Sequence, residues 1–204
     1  GDVVEEFASG ELNAEGKRVV VIGGGDTAMD CVRTAIRQGA TSVKCLYRRD
    51  RANMPGSQRE VQNAEEEGVE FVWLAAPVGF EGNDAVSGVS VQKMRLGAPD
   101  ATGRQMPEVI AGSDYVEGAD LVVKALGFEP EDLPKLWGVD GLEVTRWGTV
   151  KAAYETGQTS LDGVFAAGDI VRGASLVVWA IRDGRDSATA ILNYLNDSQT
   201  VAAE

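Results

Sequence analysis

Residues 18–28 read Arg-Val-Val-Val-Ile-Gly-Gly-Gly-Asp-Thr-Ala, and their order decides the fold. A short run with no polar break suits a strand buried on both faces. It feeds directly into Gly23-x-Gly25-x-x-Ala28. Ala28, Met29, Val32, Ala35 and Ile36 then recur at helical spacing over 26–38, with Gly39 as a stop. Strand, glycine loop and helix in that order form a dinucleotide-binding loop in its proper context. Gly23 allows the tight turn, Gly25 lets a pyrophosphate approach the backbone, and Ala28 keeps helix and sheet close. The helix N-terminus offers amide protons and positive dipole to phosphate.

Working outward, 42–47 reads as a second strand, completing a βαβ unit. Ser57-Gln58-Arg59-Glu60 has the form of a capping box opening a helix that ends near Gly68, and Val69–Leu74 reads as a third strand. Residues 77–117 change character. Strand-like segments at 78–81, 86–96 and 109–116, with Gly-Asn, Asp-Ala-Thr-Gly and Gly-Ser turn signals, predict an antiparallel insert. Ala119–Ala125 returns to a buried strand. Residues 128–162 look irregular, 163–169 read as another buried strand ending in Gly168-Asp169, and 174–195 as a last helix. Leu176, Val177, Ala180, Ile181, Ala188, Ile191 and Leu192 would form its apolar face. The expected class is α/β: a Rossmann-like parallel sheet with an antiparallel β insert. The expected organisation is a lead-in over 1–16, a nucleotide-binding domain over 17–127 and a C-terminal domain portion over 128–204.

Arg48-Arg49 stands at the end of the second strand, about 20 residues beyond the glycine loop, where an NAD site carries an acid for the ribose 2′-hydroxyl. Guanidinium forks suit a 2′-phosphate instead, which points to NADPH. Asp50 is the competing residue, able to face the ribose if the arginines point outward. Met54-Pro55-Gly56 reads equally as a wall on the adenine side or as a structural turn.

Composition narrows the function classes. The net charge of −13 disfavours nucleic acid and anionic membrane as partners and makes the Arg48–Arg51 cluster an island. No apolar run approaches a membrane span, and no basic, apolar leader is seen, so the expectation is a cytoplasmic protein. The sequence contains no histidine, which removes imidazole acid–base catalysis and His-ligated metals. The two cysteines, Cys31 and Cys45, form no CxxC pair and read as buried free thiols, so no metal site is expected.

The segment Gly163-Val-Phe-Ala-Ala-Gly168-Asp169, followed by Gly184-Arg185, resembles the C-terminal flavin motif of two-dinucleotide-domain flavoproteins of the pyridine nucleotide-disulfide oxidoreductase type. Across 17–195 the chain is similar to the small (beta) subunits of NADPH-dependent glutamate synthases. Gly23–Cys31, Tyr47–Asp50, Met54–Ser57, Glu65–Phe71, Ala119-Asp120 and Ala167–Asp169 carry that similarity. The resemblance implies NADPH and FAD as cofactors and hydride transfer between them. It implies that Gly23, Gly24, Gly25, Asp26, Thr27 and Ala28 hold the NADPH pyrophosphate and that Arg48 and Arg49 hold its 2′-phosphate. Ala125 and Gly127 would line the approach to the nicotinamide. Gly168 and Asp169 would meet the FAD ribityl chain, and the amides of Leu176 and Val177 the flavin ring. No catalytic side chain is implied, because the cofactors carry the chemistry.

The family also has an N-terminal cysteine-rich domain and an earlier GxGxxG loop for FAD, absent from these residues. The resemblance therefore implies a C-terminal portion with an incomplete FAD site. It implies as partners an N-terminal FAD/iron–sulfur segment or chain, and a glutamate synthase large subunit. Two alternatives stay open: an NADPH-binding module without activity of its own, and the same module serving another acceptor, such as ferredoxin or a dihydropyrimidine dehydrogenase-like partner.

Overall fold

A computed structural model describes residues 12–101 and 103–201, with side chains through Asp197. The chain divides into two compact units between Gly127 and Phe128.

The first unit is built on a parallel sheet of four strands: β1 (Arg18–Ile22), β2 (Ser42–Tyr47), β3 (Glu70–Trp73) and β8 (Leu121–Lys124), ordered β3-β2-β1-β8. β1 lies centrally, with Val21 beside Cys45 on β2 and Val123 on β8. Its side chains alternate between two cores, as strand geometry requires. Val19 and Val21 face α1 (Asp26–Arg37) and α2 (Gln58–Glu66), packing with Met29, Val32, Ala35, Val61 and Ala64. Val20 and Ile22 face the other way, toward Leu46, Ala75, Val89, Val91 and Ala119. The second layer is thus a sheet where a doubly wound fold would place helices.

That sheet comprises β4 (Ala75–Glu81), β5 (Gly88–Pro99), β6 (Gln105–Val109) and β7 (Tyr115–Gly118), with β5 pairing antiparallel to the other three. The strand expected over 109–116 is broken by a turn over 110–114: Val109 ends β6, and Tyr115 and Val116 open β7. Gly112 adopts φ +72°, and the Ser113 hydroxyl donates to the Ile110 carbonyl, so the Gly-Ser signal overrides the β-prone flanks.

The capping box at Ser57 does not form. The Ser57 side chain makes no cap hydrogen bond, and Glu60 is drawn to Arg33 on α1. Arg33 also donates to Glu67 at 2.8 Å, and Arg37 to the same carboxylate at 2.7 Å, so charge pairing between the helices displaces the local motif. Residues 1–11 of the expected lead-in lie outside the described residues. Of the remainder, Ala14 is fully buried in the helix-side core, and its N–H donates to Gln38 Oε1 at 2.8 Å.

The second unit holds α3 (Leu133–Trp137), α4 (Asp169–Arg172) and α5 (Val177–Val201), with single bridges such as Gln158–Phe165 between them. The buried strand expected over 163–169 is not formed: Phe165 makes an isolated bridge, and Val164 is exposed. An apolar run becomes a strand only when a ladder pairs its backbone, and no longer ladder reaches this one among the described residues. α5 begins three residues later than expected. Leu176 and, on α5, Val177, Ile181 and Leu192 are exposed rather than packed.

At the opposite end of the parallel sheet from the glycine loop, Arg18 clamps Asp120. The Arg18 backbone N–H and Nε both donate to Oδ2 at 2.9 Å, and Nη2 donates to Oδ1 at 2.7 Å. These bonds hold the Asp120 carboxyl well below the ordinary carboxylate range. A depressed folded-state pKa contributes stability that is present above the unfolded pKa of about 3.9 and lost as pH falls. Asp120→Asn is therefore expected to lower the urea midpoint at pH 7, with variant and parent converging as the pH drops below about 4.

Candidate dinucleotide-binding site

The end of β1 and the end of β8 meet at the glycine loop, and each glycine there answers a different demand. The Ala125 N–H donates to the Ile22 carbonyl at 2.8 Å, drawing β8 so close that a Cβ on Gly23 would overlap the Ala125 carbonyl oxygen. A Cβ on Gly24 would lie 2.5 Å from the Tyr47 ring. Gly25 is different: its φ is −91°, accessible to any residue, and nothing lies within 4 Å of its Cβ position. Backbone there is bare toward open space. Gly25 also caps α1, and no side chain fills that cap. At the start of the 12-residue helix, Ala28 and Met29 donate to the Gly25 carbonyl, while the amides of Asp26 and Thr27 have no intrahelical acceptor, and Thr27 lines the opening.

A second loop braces the first. The Gly56 N–H donates to the Gly24 carbonyl at 2.9 Å, and the Ser57 N–H to Asp26 Oδ1 at 3.1 Å. Met54 is buried, so Met54-Pro55-Gly56 acts as a structural turn against the glycine loop, while Pro55 still reaches the cavity wall. From below, the Cys45 thiol donates to the Gly23 carbonyl at 3.4 Å. Burial, with a smaller contribution from Cys31, pushes the Cys45 thiol up to about 12. Both cysteines are buried and unbridged.

The basic island is spent unevenly. Arg51 pairs with Glu65 at 2.9 Å. Arg49 Nη2 donates to Asn53 Oδ1, and its buried Nε has no partner. Asp50 turns inward and caps a single 3₁₀ turn over Arg51–Asn53. Arg48 is exposed, takes no ion pair or hydrogen bond among the described residues, and lines the cavity.

That cavity, of about 650 Å³, brings together Gly23, Gly24, Gly25, Thr27, Arg48, Ala125 and Gly127. Asp26, Ala28 and Arg49 do not line it: Asp26 holds the second loop, Ala28 lies in the core and Arg49 is turned to Asn53. The cavity adds Tyr47 and Leu126 to the residues read from sequence. The signal for Tyr47 was its place two residues before Arg49 at the C-terminal end of β2, where parallel sheets bind ligands. In the second unit, Gly168 takes φ +77° and leads into α4. Asp169 is exposed, as are Leu176 and Val177 at the start of α5.

Residues 2–184 match the family described as pyridine nucleotide-disulphide oxidoreductase. The chain belongs to that family. Among its curated relatives, a glutamate synthase (NADPH) small chain of Azospirillum brasilense is 69% identical over 194 residues, covering 95% of this chain and 40% of the relative. The glutamate synthase (NADPH) small chain of Escherichia coli K12 is 51% identical over 189 residues, covering 90% and 40% respectively. The beta subunit of an NADPH-Fe(3+) oxidoreductase of Geobacter sulfurreducens is 38% identical over 225 residues, covering all of this chain and 33% of the relative. The chain thus spans less than half the length of these relatives. Among solved structures, Mycobacterium tuberculosis FprA in complex with NADPH superposes with TM-score 0.75 at 17% identity, over 97% of this chain and 57% of that one. Thioredoxin reductase of T. acidophilum gives 0.72 at 21% identity, over 94% and 56%. Both share the oxidoreductase fold.

The three loop glycines of this family member are expected to separate in a melting series. Gly23→Ala and Gly24→Ala force backbone or ring displacement and should each cost about 1–3 kcal/mol in chemical denaturation. Gly25→Ala should change stability by less than about 0.5 kcal/mol.

Proposed function

We propose that this chain supplies the NADPH site and part of the FAD site of a longer flavoprotein, which passes a hydride from NADPH to FAD as in a glutamate synthase small chain. The observation that carries the reading is the bare Gly25 backbone at a helix N-terminus that no side chain caps, with the unpaired Arg48 on the wall of the same cavity. Phosphate is the ligand chemistry that both features recognise.

The residues fit the cofactor part by part. The amides at the start of α1 receive the pyrophosphate, where a Cβ on Gly25 would stand in its way. Thr27 adds a hydroxyl on the cavity wall. Arg48 takes the 2′-phosphate, with Arg49 behind it as the anchor of the turn rather than a second fork. Ala125, Leu126 and Gly127 line the end of the cavity where β8 terminates, a small and apolar border suited to the nicotinamide. In the second unit, the exposed Asp169 carboxylate suits a polyol hydroxyl, and the backbone at Leu176 and Val177 suits the flavin ring. When bound, the two cofactors supply the hydride donor and acceptor, so the chain's part is placement and exclusion of water. The absence of histidine is compatible with this chemistry, since no side-chain acid or base is required.

Relatives whose names carry different acceptors, glutamate synthase and Fe(3+), share this segment. That supports placing the choice of final electron acceptor in other parts of the longer protein.

Arg48→Ala is expected to weaken NADPH binding by about 2 kcal/mol in titration calorimetry, the scale of a charge-assisted hydrogen bond. NADH binding should be nearly unchanged. Equal losses for the two cofactors would remove Arg48 from the 2′-phosphate.

A further inference from the structure

The turn after β2 converges on one side chain that the cavity does not contain. All four polar groups of Asn53 are engaged, and each partner lies at the end of β2 or in the turn that follows it. Its backbone N–H donates to Asp50 Oδ1 at 3.0 Å, and its Nδ2 donates to the same oxygen at 2.6 Å. Its Oδ1 accepts from Arg49 Nη2, and its carbonyl accepts from the Tyr47 hydroxyl at 2.9 Å. Tyr47, Arg49 and Asp50 surround Arg48 in sequence, and Tyr47 also packs its ring on Gly24. Arg48 itself makes none of these bonds and reaches the cavity.

We infer that Asn53 is a positioning residue that sets nucleotide specificity by holding the Asp50 carboxylate away from the ribose, leaving Arg48 as the only charge of this turn on the cavity wall. The inference rests on the NADPH reading above. The physical argument is a competition between two neighbouring charges. At the end of this strand an acid accepts from a ribose 2′-hydroxyl and repels a 2′-phosphate, whereas a guanidinium does the reverse. The loop carries both, Arg48 and Asp50, two residues apart. The Asn53 side chain decides between them: its Nδ2 adds a second hydrogen bond to the one that the backbone N–H gives Asp50, holding that carboxylate in the 3₁₀ turn. Arg49 serves the same end: its bond to Asn53 Oδ1 fixes the amide so that Nδ2 points at Asp50. A neutral Asn is suited to this place because one side-chain amide both accepts from a cation and donates to an anion.

The test uses the full 204-residue chain and two flavin-independent probes, 2′-phospho-ADP-ribose and ADP-ribose, whose binding is measured by calorimetry. The parent chain should prefer the 2′-phosphorylated probe. Asn53→Ala should reduce that preference by about tenfold or more, through weaker binding of the phosphorylated probe and tighter binding of the other. Asn53→Asp keeps the volume and the acceptor for Arg49, but replaces the side-chain donor to Asp50 with a like charge and leaves only the backbone N–H. It should reduce the preference in the same direction and serves if the alanine variant does not fold. Adding Asp50→Ala to either variant should abolish the gain for ADP-ribose, because the released carboxylate is its source.

A preference unmoved by Asn53→Asp overturns the inference, as does a gain for ADP-ribose that survives removal of Asp50. Equal losses for both probes make Asn53 merely structural and also overturn it. A parent chain that binds neither probe overturns the NADPH reading itself, and the inference falls with it.

Discussion

The contact between the end of β8 and the end of β1 is the constraint on which the site depends. The Ala125 carbonyl occupies space that any side chain at Gly23 would need. This approach closes the cavity on one side and brings Ala125 and Gly127 to the same wall as the glycine loop. Parallel strands place their C-terminal ends on one edge of the sheet, and ligands bind there because helix N-termini open onto that edge. Here the sheet edge is reinforced from three directions: the Cys45 thiol below Gly23, the Tyr47 ring on Gly24, and the Gly56 amide on the Gly24 carbonyl. Gly25 is left bare, and that contrast separates glycine used for packing from glycine used for access.

Several arginines of the first unit hold elements together. Arg33 and Arg37 join α1 to α2 through Glu67, Arg18 joins the starts of β1 and β8 through Asp120, and Arg51 joins the 3₁₀ turn to α2 through Glu65. Each such cation has a carboxylate partner. Arg48 has none among the described residues, and it is the one placed on the cavity wall. In an acidic protein, an arginine kept clear of the surrounding carboxylates is available to an anionic ligand. The hydrogen-bonded turn around Asn53 engages the acid two residues along, Asp50.

The two units were not equally legible. In the first, β1, α1 and β2 follow from a local pattern whose period matches the packing it finds, so the residues that read as core are core. The capping box at Ser57 was outcompeted by Arg33, which took Glu60 from across the helix pair, a partner no local pattern reveals. The strand expected over 109–116 was interrupted because Gly112 and the Ser113 hydroxyl favour a turn more strongly than their neighbours favour a strand. In the second unit the apolar pattern is present, but among the described residues the run at 163–169 has only an isolated bridge, and Val177, Ile181 and Leu192 on α5 are exposed. Hydrophobic periodicity states what a segment is suited to bury, not whether a partner is present.

The sequence by itself determined the strand–glycine loop–helix unit and the presence of a basic turn at the end of β2, because these depend on residues adjacent in the chain. Only the tertiary structure decided what each residue of those motifs does. Three glycines in a row are alike in sequence, yet their roles diverge according to what lies beyond each Cα: a carbonyl from β8, a ring from β2, or open space. Two adjacent arginines are alike as well, yet one is bound to Asn53 and the other faces the cavity. The reason is the same in both cases. A motif fixes backbone geometry over a few residues, whereas the neighbours that consume or spare a side chain arrive from elements tens of residues away.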